Sequence, residues 1–550
     1  MAPHAESPRG DRNGFLDGPE IHNQKPFAKP NILYIMADQL AAPLLKMHDP
    51  NSLIQTPNID DLSKTGVTFD NAYCNSPLCA PSRFCMVTGQ LPGKIGAYDN
   101  ASHLNADIPT YAHYLRTEGY ECTLAGKMHF VGPDQLHGFE NRLTSDIYPG
   151  DFGWAVNWDD PETRQEWFHN MLSVTQAGPC VRSNQLDFDE EVMHKSKQYL
   201  YNYVRGGDAK PPFCLTVSLT HPHDPYAITK DLWDQYEDVE IPLPKNEIRQ
   251  EDQDSHSKRV LQCIDLWGKS IPKEAILRAR RAYYAACTYV DNQVGILRKV
   301  LRDCGLDKNT IIMFSGDHGD MLGERSMWYK MSWFENSARV PLIINYPARF
   351  APRRVKESVS TMDLLPTLLD LVEGNRKNLL PMDGRSLYPA LHGQPLIDEV
   401  FGEYMGEGTV SPLVMIRRGR FKYIYCLDDD PLLYDLENDP EELKSLVNDY
   451  NHVAVALRFE NEVHQKWDLN DLKEKVMISQ RMRRLCWKAL QIGQREHWDW
   501  QPKDIASEKY IRSHMPLDEL ELRARYPPVD AQGNTIFTNH PHGIAGAKGE

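Results

Sequence analysis

The stretch 79–83 (Cys-Ala-Pro-Ser-Arg) places a thiol, a proline and a guanidinium at fixed offsets. Pro81 has a restricted φ and no backbone N–H, so we expect Cys79 in the first turn of a helix that continues beyond Arg83. Such a helix end presents free N–H groups and a positive dipole, and Arg83 adds a permanently charged donor. The stretch therefore predicts an anion site beside a thiol. Cys79 taken alone is equally consistent with a buried structural cysteine.

Four apolar runs are each followed by side chains that could bind a metal ion or transfer a proton. The runs, at 30–37, 121–126, 212–219 and 310–315, are typical of strands buried on both faces of a parallel sheet. Since the carboxyl ends of parallel strands meet at one edge, where open α/β sheets hold their active sites, we expect these side chains to lie together. They are Asp38 and Gln39, Lys127 and His129, His221 and His223, and Asp317 and His318.

The segments between the runs include amphipathic helices, as at 276–302, where apolar residues recur near helical spacing. This alternation predicts an α/β fold, a doubly wound and mostly parallel sheet flanked by helices, with a smaller α+β subdomain towards the C-terminus. In that subdomain we expect strands at 410–426, a loop at 428–440 and helix over 452–490. The predicted divisions are a disordered lead-in (1–28), the catalytic α/β domain (29–395), the C-terminal subdomain (396–500) and an extended tail (501–550).

Asp38, Gln39, Asp317 and His318 are predicted to form a divalent-cation site. Three of the four offer oxygen, which suits a hard ion such as Ca²⁺, Mg²⁺ or Mn²⁺ better than Zn²⁺. A helix-capping role is the alternative for Asp38.

Composition excludes several classes of partner. The chain has 550 residues, 77 acidic against 61 basic side chains and a net charge of −16, which argues against non-specific binding to nucleic acid or anionic membranes. The first 28 residues lack the apolar core of a secretory signal, and no later stretch is apolar enough to span a bilayer. Eleven cysteines without a CxxC pair indicate a reducing, cytoplasmic location.

Three of these segments resemble signatures of the sulfatases. The stretch 79–83 resembles Cys-x-Pro-x-Arg, in which the cysteine is oxidised to formylglycine by a modifying enzyme. Residues 119–129 look like the second sulfatase signature, and 317–319 with Lys330 resemble the third region. Most sulfatases end the first strand in paired aspartates and use Asp-Asn later, whereas this chain has Gln39 and His318 at those places. The departure leaves the choice of metal open.

Longer blocks closely resemble the choline sulfatases, over about residues 30–526. The resemblance implies hydrolysis of choline O-sulfate to choline and sulfate, and a homodimer or homotetramer in which the C-terminal tail contacts a neighbouring subunit. The blocks are 151–154, 221–226, 316–341, 402–409, 479–484 and 498–502.

The resemblance also implies roles for single residues. A formylglycine hydrate at Cys79 would offer one hydroxyl to attack sulfur and a second that allows sulfate to leave, which a plain Ser or Cys could not do. His221 is predicted to be the general acid, His129 to help remove a proton from the second hydroxyl, and His223 to be structural. Arg83, Lys127 and Lys330 would spread positive charge over the sulfate oxygens. One ion, expected to be Ca²⁺ with Mn²⁺ or Mg²⁺ as alternatives, would be held by Asp38, Gln39, Cys79, Asp317 and His318.

A choline group adds a further requirement. Its quaternary ammonium cannot donate hydrogen bonds through methyl groups, so aromatic faces and carboxylates must hold it. Trp154, in a segment that alternates aromatic and acidic residues, is the first candidate, and ordinary packing is the alternative for every member of the set. The other predicted substrate-binding residues are Asn170, Glu403, Glu407 and Asp499.

Two other functions fit the same residues. A phosphonate monoester or phosphodiester hydrolase of the same superfamily would use the same formylglycine, although its anionic or neutral leaving group would gain nothing from a carboxylate cage. If Cys79 stays an unmodified thiol, the chain would be a non-catalytic binding protein for sulfate or a quaternary ammonium compound.

Overall fold

The computed structural model describes residues 29–206, 210–375, 379–495, 497–503, 505, 516–518, 521 and 527–536. The predicted lead-in at 1–28 and most of the predicted tail at 501–550 lie outside these residues. Among the residues that are described, no helix is both long enough and apolar enough to cross a bilayer.

The strands are β1 (Asn31–Ala37), β2 (Val67–Tyr73), β3 (Glu121–Gly126), β4 (Asn141–Arg142), β5 (Gly178–Cys180), β6 (Phe213–Ser218), β7 (Ala227–Thr229), β8 (Thr310–Gly316), β9 (Arg339–Val340), β10 (Leu342–Asn345), β11 (Arg353–Ser360), β12 (Glu399–Tyr404), β13 (Leu413–Arg418), β14 (Phe421–Cys426) and β15 (Asp429–Asp435). The α-helices are α1 (Pro57–Thr65), α2 (Cys79–Thr88), α3 (Pro92–Ile95), α4 (Tyr111–Thr117), α5 (Leu172–Thr175), α6 (Asn184–Arg205), α7 (Lys230–Asp234), α8 (Ser255–Cys263), α9 (Lys273–Asp303), α10 (Glu335–Ala338), α11 (Leu364–Leu371), α12 (Tyr388–Leu391), α13 (Val453–Lys466) and α14 (Leu469–Leu490). Short 3₁₀ turns lie at Ala42–Leu44, Gln250–Asp252, Asp307–Asn309, Glu324–Ser326 and Thr361–Asp363.

The central sheet is built around β1. Its strand order is β11-β2-β10-β8-β1-β6-β3-β4, with the short β9 paired to β2, and β1 is parallel to both of its neighbours. Only β10 and β9 run antiparallel to the strands they pair with, so the predicted mostly parallel sheet is confirmed for the described residues. The register places Ala37 opposite Gly316, and Met36 opposite Ser218. The chain therefore leaves β1, β6 and β8 at the same edge.

The side chains of alternate residues of β1 pack in two different hydrophobic cores, one on each face of the sheet. Tyr34 and Met36 face a core made with α2, α4 and α11, while Leu33 and Ile35 face another made with α6 and α9. All four side chains are buried, and each large apolar side chain removed from water contributes about 1.5–3 kcal/mol. Burial on both faces explains why β1 is a near-continuous apolar run.

A second, four-stranded antiparallel sheet (β12-β13-β14-β15) forms the smaller C-terminal unit. One face, with Val414 and Ile416, packs on Phe459 of α13, and the other, with Met415, joins the core that contains Trp333. The prediction of a loop at 428–440 is wrong in its first half, because β15 lies there and pairs with β14. The expected helix over 452–490 is two helices, α13 and α14. The predicted domain limits at 395 and 500 remain a prediction.

Gly126, the last residue of β3, allows a close approach between backbones. Its φ is +102°, and a Cβ placed on it would lie 1.9 Å from the carbonyl oxygen of Ser218 on β6. We expect Gly126→Ala to lower the free energy of unfolding by more than about 4 kcal/mol, since strand separation and a left-handed conformation are both unfavourable. Denaturant titration measures this loss.

Gly119 provides the matched control, with φ of +86° and no atom within 4 Å of the point that a Cβ would occupy. Gly119→Ala should lower stability by only about 1 kcal/mol, the conformational cost alone. Equal losses in the two variants would contradict the role of the contact between β3 and β6.

Candidate active site

Four potential metal ligands meet at the carboxyl edge of the central sheet. Asp38 follows β1, Cys79 opens α2, and Asp317 and His318 follow β8; all four are buried, with ligand atoms within 4.8 Å of one another. Cys79 Sγ lies 3.1 Å from His318 Nε2 and 3.8 Å from Asp38 Oδ1. Two carboxylates, an imidazole and a thiol can hold one divalent cation. The thiol and the imidazole do not favour a hard ion, so the choice of Ca²⁺ remains a prediction.

Local sequence explains the position of Cys79. Leu78 is extended and its carbonyl oxygen accepts the N–H of Ser82, 2.9 Å away, so the helix begins at Cys79 with Pro81 in its first turn. Proline is tolerated there because its missing N–H would have no partner within the helix. The prediction that the motif occupies the first turn is confirmed.

The guanidinium of Arg83 organises the carboxylates. Its Nε lies 2.9 Å and its NH2 2.8 Å from Asp317 Oδ2, and NH2 lies 3.6 Å from Asp38 Oδ2. Its NH1 donates to the carbonyl oxygen of Lys127 and to Ser218 Oγ, at 2.6 and 2.8 Å. Nε and NH1 of Arg83 donate to these protein groups, whereas NH2 has no hydrogen-bond partner among the described residues, so the predicted contact of Arg83 with sulfate oxygens remains a prediction. Its position therefore suits holding Asp317 and Asp38 in place.

Two buried ammonium groups remain near the cluster. Lys127 Nζ forms an ion pair with Asp38, and Lys330 Nζ donates to Gln39 Oε1 and His223 Nε2, each 2.7 Å away. Burial favours the neutral amine of Lys330, but the negative charges around it outweigh that effect and raise its pKa. Lys330 therefore brings a positive charge to the cluster.

The same cations act on the thiol. Burial opposes ionisation of Cys79, yet the charges of Lys127, Lys330 and His318 together outweigh burial and hold the pKa of Cys79 well below its usual range. A site that stabilises an anion at residue 79 is also suited to a sulfate ester placed there.

Gln39 has both amide atoms engaged. Its Nε2 lies 2.7 Å from Asp320 Oδ2 and its Oε1 accepts from Lys330. The residue has a φ of +62°, a left-handed conformation that is unusual for glutamine. Its backbone N–H donates to Asp317 Oδ1, 3.0 Å away. Gln39 thus borders the cluster, and its part in metal binding remains a prediction.

Of the two histidines that follow β6, His223 borders the cluster and His221 does not. His223 Nε2 lies 2.7 Å from Lys330 Nζ, whereas His221 Nδ1 lies 2.7 Å from Asp189 Oδ2 on α6. The Asp189 carboxylate also accepts the backbone N–H groups of Thr220 and His221. The prediction of His221 as general acid and His223 as structural is therefore corrected: Asp189 binds the ring of His221, whereas the ring of His223 contacts Lys330.

His129 is buried at 1% exposure, and neither of its ring nitrogens has a hydrogen-bond partner among the described residues. It has a φ of +59°, and its backbone N–H donates to Asp146 Oδ2, 2.8 Å away. Its ring centroid lies 5.5 Å from that of Tyr148 and 5.8 Å from that of Trp154. The structure thus leaves the imidazole of His129 available for a ligand or a proton.

An aromatic group borders the cluster on this side. Trp154 lies 5.2 Å from Tyr148 and stacks 6.1 Å from Trp167, as measured between ring centroids. The Tyr148 ring lies 4.2 Å from Lys127 Nζ, and its hydroxyl lies 3.2 Å from His223 Nδ1. Tyr148 was not predicted, and nothing in its own sequence context marks it.

Glu407 contributes a carboxyl group near the cluster. It is 2% exposed, and its backbone carbonyl oxygen accepts the hydroxyl of Tyr404. Burial raises the pKa of Glu407 to about 7, a shift that Lys330 opposes and that Cys79 reinforces. Glu407 is therefore a buried acid that titrates near neutrality.

The other three predicted substrate-binding residues differ in exposure and in their contacts. Both carboxylate oxygens of Glu403 are occupied, by the backbone N–H of Gly93 and by Trp467 Nε1–H. Asn170 is exposed and caps a turn by accepting the N–H of Leu172. Asp499 is also exposed, with its nearest ion-pair partner, His497, 3.8 Å away. The backbone carbonyl oxygen of Asn170 also accepts the hydroxyl of Tyr329, the residue before Lys330. The part of these three residues in substrate binding remains a prediction.

Three family models match the chain. The one described as Sulfatase matches residues 30–374, N-sulphoglucosamine sulphohydrolase, C-terminal matches 323–469, and Choline sulfatase enzyme C terminal matches 474–526.

Curated relatives and solved structures agree with these matches. The choline-sulfatase of Rhizobium meliloti (strain 1021) is 44% identical over 507 residues, 91% of this chain and 99% of that protein. An arylsulfatase of Clostridium perfringens is 30% identical, over 76% of this chain and 90% of its own length. The crystal structure of the phosphonate monoester hydrolase of Agrobacterium radiobacter superposes with a TM-score of 0.63 at 25% identity, covering 81% of this chain and 96% of that one.

Proposed function

The chain belongs to the sulfatase family, and on this basis we propose that it hydrolyses choline O-sulfate to choline and sulfate. Membership of the family makes it a sulfuric ester hydrolase. The substrate proposal depends chiefly on two groups near the cation-rich cluster around Cys79: Trp154, whose ring centroid lies 5.8 Å from that of His129, and the buried Glu407 carboxyl group, on whose pKa the charges of Lys330 and Cys79 act. An aromatic face with a carboxylate suits a trimethylammonium group, and the cations suit a sulfate group.

Residue 79 is the proposed nucleophile. After oxidation of Cys79 to formylglycine by a modifying enzyme, the hydrated aldehyde would supply one hydroxyl that attacks sulfur and a second that permits the release of sulfate. Asp38, Asp317, His318 and residue 79 would hold one divalent cation, Ca²⁺ by preference or Mn²⁺ or Mg²⁺, which when bound would neutralise sulfate oxygens and lower the pKa of a nearby hydroxyl. Arg83 holds the two carboxylates in position for this role.

Other side chains would stabilise negative charge and transfer protons during the reaction. Lys127 and Lys330 place positive charge where the sulfate oxygens gain negative charge as the S–O bond breaks. A hydrogen bond from the Lys330 ammonium occupies His223 Nε2. We propose that Nε2 takes up a proton when Lys330 turns to the sulfate group and then donates it to the leaving choline oxygen, the role that was predicted for His221. The imidazole of His129, whose nitrogens have no hydrogen-bond partner in the described part of the chain, would accept a proton from the hydroxyl at residue 79.

The proposed choline contact predicts a pH-dependent affinity. Glu407→Gln should raise KM for choline sulfate about tenfold at about pH 8, because it removes a negative charge beside the trimethylammonium group. Since the pKa of Glu407 is raised to about 7, the wild-type KM should itself rise as the pH falls through that value and the carboxylate is protonated. The variant should lack this pH dependence. Initial rates across the neutral range measure both effects.

Two comparisons sharpen this test. With an aryl sulfate ester whose aryl group carries no charge, Glu407→Gln and wild type should have similar KM values, since there is no cationic group to hold. Glu403→Gln should behave like wild type with choline sulfate if the contacts of Glu403 with Gly93 and Trp467 describe its role. A tenfold effect at Glu403 alone would reverse the assignment of the two glutamates.

A phosphonate monoester or phosphodiester hydrolase is the second candidate, favoured by the likeness to the Agrobacterium enzyme. Protein produced together with a formylglycine-generating enzyme should be assayed on choline sulfate and on an aryl phosphodiester side by side. A higher kcat/KM for the diester would overturn the choline proposal. A peptide mass that shows an intact Cys79 thiol in protein from the native host would favour a binding protein instead.

Assembly and location are also proposals. Exposed apolar residues follow one face of α14, with Ile478, Met482 and Leu485 at 46%, 62% and 69% exposure, which supports a homodimer or homotetramer. In the described turn at 527–536, the hydroxyl of Thr535 donates to the carbonyl oxygen of Asp303 in the same chain, so the contact of the tail with a neighbouring subunit remains a prediction. All eleven cysteines are described and free, which supports a reducing, cytoplasmic location.

A further inference from the structure

The segment that carries Trp154 is held in place by helix α14. The backbone N–H of Trp158 donates to Gln480 Oε1, 2.9 Å away, and that of Val156 donates to Asp99 Oδ2, 3.2 Å away. Arg483 of α14 in turn binds both carboxylate oxygens of Asp99, with NH2 3.0 Å from Oδ2. One helix therefore fixes two backbone N–H groups of this segment, directly and through Asp99.

These contacts are buried. Asp99 is 0% exposed, Gln480 2% and Arg483 6%. A bidentate pair between a guanidinium and a carboxylate constrains both partners strongly when water is excluded, and loss of one partner leaves a buried charge unpaired. Apolar packing reinforces them, since Val156 and Trp158 lie in one cluster with Val476 of α14.

The apolar cluster that contains Val156, Trp158 and Val476 also reaches the part of the proposed choline site that contains Glu407. Met405 packs in it, two residues before Glu407, and Asp99 lies close enough to Glu407 for its charge to act on that carboxyl group. Displacement of α14 would therefore move Trp154 and Glu407 relative to each other. The cluster around Cys79 is attached to the ends of β1 and β8, and its four members all lie outside α14.

We propose that Arg483 is a positioning residue for recognition of the leaving group: through Asp99 it fixes the backbone at Val156 and so holds Trp154 against the site. This inference rests on the proposed function. It assigns to α14 a part in affinity for the cationic half of the substrate and none in the cleavage of the S–O bond.

Kinetics on two substrates test the proposal. Arg483→Met should raise KM for choline sulfate at least about tenfold, while kcat/KM for an aryl sulfate without a cationic group should change by less than about threefold. Arg483→Lys keeps the charge without the bidentate geometry and should give an intermediate KM. The matched control is Arg481→Met on the same helix, whose ion pair with Asp159 of the same segment is exposed, and it should stay within about twofold of wild type.

Hydrogen exchange provides a readout that does not depend on the substrate. The amides of Val156 and Trp158 should exchange at least about tenfold faster in Arg483→Lys, and the amides of β1 should not change. An equal loss of kcat/KM on both substrates, or unchanged exchange in 151–159, would overturn the proposal. If wild type fails to cleave choline sulfate but exchange accelerates as expected, the proposed function is wrong and the positioning role stands. If Arg483→Met does not fold, the kinetics and the hydrogen exchange of Arg483→Lys together test the proposal.

Discussion

Replacement of Cys79 by alanine will reduce the rate of sulfate ester hydrolysis by about 10⁵-fold or more without unfolding the protein. The side chain makes no hydrogen bond that a helix or strand depends on, and its neighbours within hydrogen-bond distance are Asp38 and His318 of the cluster itself. The variant loses the nucleophile and keeps the cations, so only the contribution of binding and charge should remain. Steady-state rates, with unfolding curves from the same preparations, measure the two quantities.

A second cysteine on α2 is the matched control. Cys85 is completely buried and packs against Leu91 and Met362, away from the cluster. Cys85→Ala should lower stability by about 1–2 kcal/mol and leave the rate within about twofold. Cys79→Ser is more informative still: with a single hydroxyl it should release at most one equivalent of choline per chain and then stop. Multiple turnovers by the serine variant would refute the need for two hydroxyls.

Loss of the Asp38 carboxylate should be the next most damaging change. Asp38→Asn removes one of the two buried negative charges of the proposed metal site and leaves Lys127 and Arg83 facing a neutral amide. We expect the rate to fall about 10³-fold or more, together with the loss of the bound divalent ion. Elemental analysis of the purified variant, together with kinetics and an unfolding curve from the same preparation, distinguishes loss of the ion from loss of the fold.

Asp291→Asn is the control for the removal of a buried carboxylate. Asp291 lies on α9 and accepts from the N–H of Ile59 and from Asn58, far along the chain from the cluster, and burial raises its pKa. The variant should keep its ion and its rate. Wild type treated with a chelator should lose activity and recover it with Ca²⁺, Mn²⁺ or Mg²⁺. Full activity of the chelated enzyme, or full ion content in Asp38→Asn, would contradict the assigned ligands.

The backbone of the site was predictable because central parallel strands are buried along their whole length. Continuous burial appears in the sequence as an apolar run, and the first polar residue after it marks the edge of the sheet. Asp38, Lys127 and Asp317 could therefore be predicted to meet without any knowledge of helix packing. β15 was missed because polar residues flank it and its pairing with β14 depends on tertiary contacts.

Side-chain direction was not predictable in the same way. His221 and His223 are two residues apart, and Asp189, on a helix 32 residues before His221, decides which ring enters the site. Glu403 and Glu407 are four residues apart, yet Gly93 and Trp467 bind the carboxylate of Glu403. Each choice depends on a partner distant in sequence, which no local pattern reports. Resemblance to known proteins identified the segments of the site, but it did not show which residue of each pair contributes to the site.

The burial of Cys79 has a consequence for biosynthesis. At 1% exposure, beneath the sheet edge and at the start of α2, the thiol is out of reach of another protein once the chain has folded. An enzyme that oxidises it would have to act on the nascent or unfolded chain, in competition with the collapse of the central sheet. The fraction of active molecules would then be set during synthesis, by the ratio of the rates of modification and folding. Molecules that fold first would remain permanently inactive in an otherwise native population.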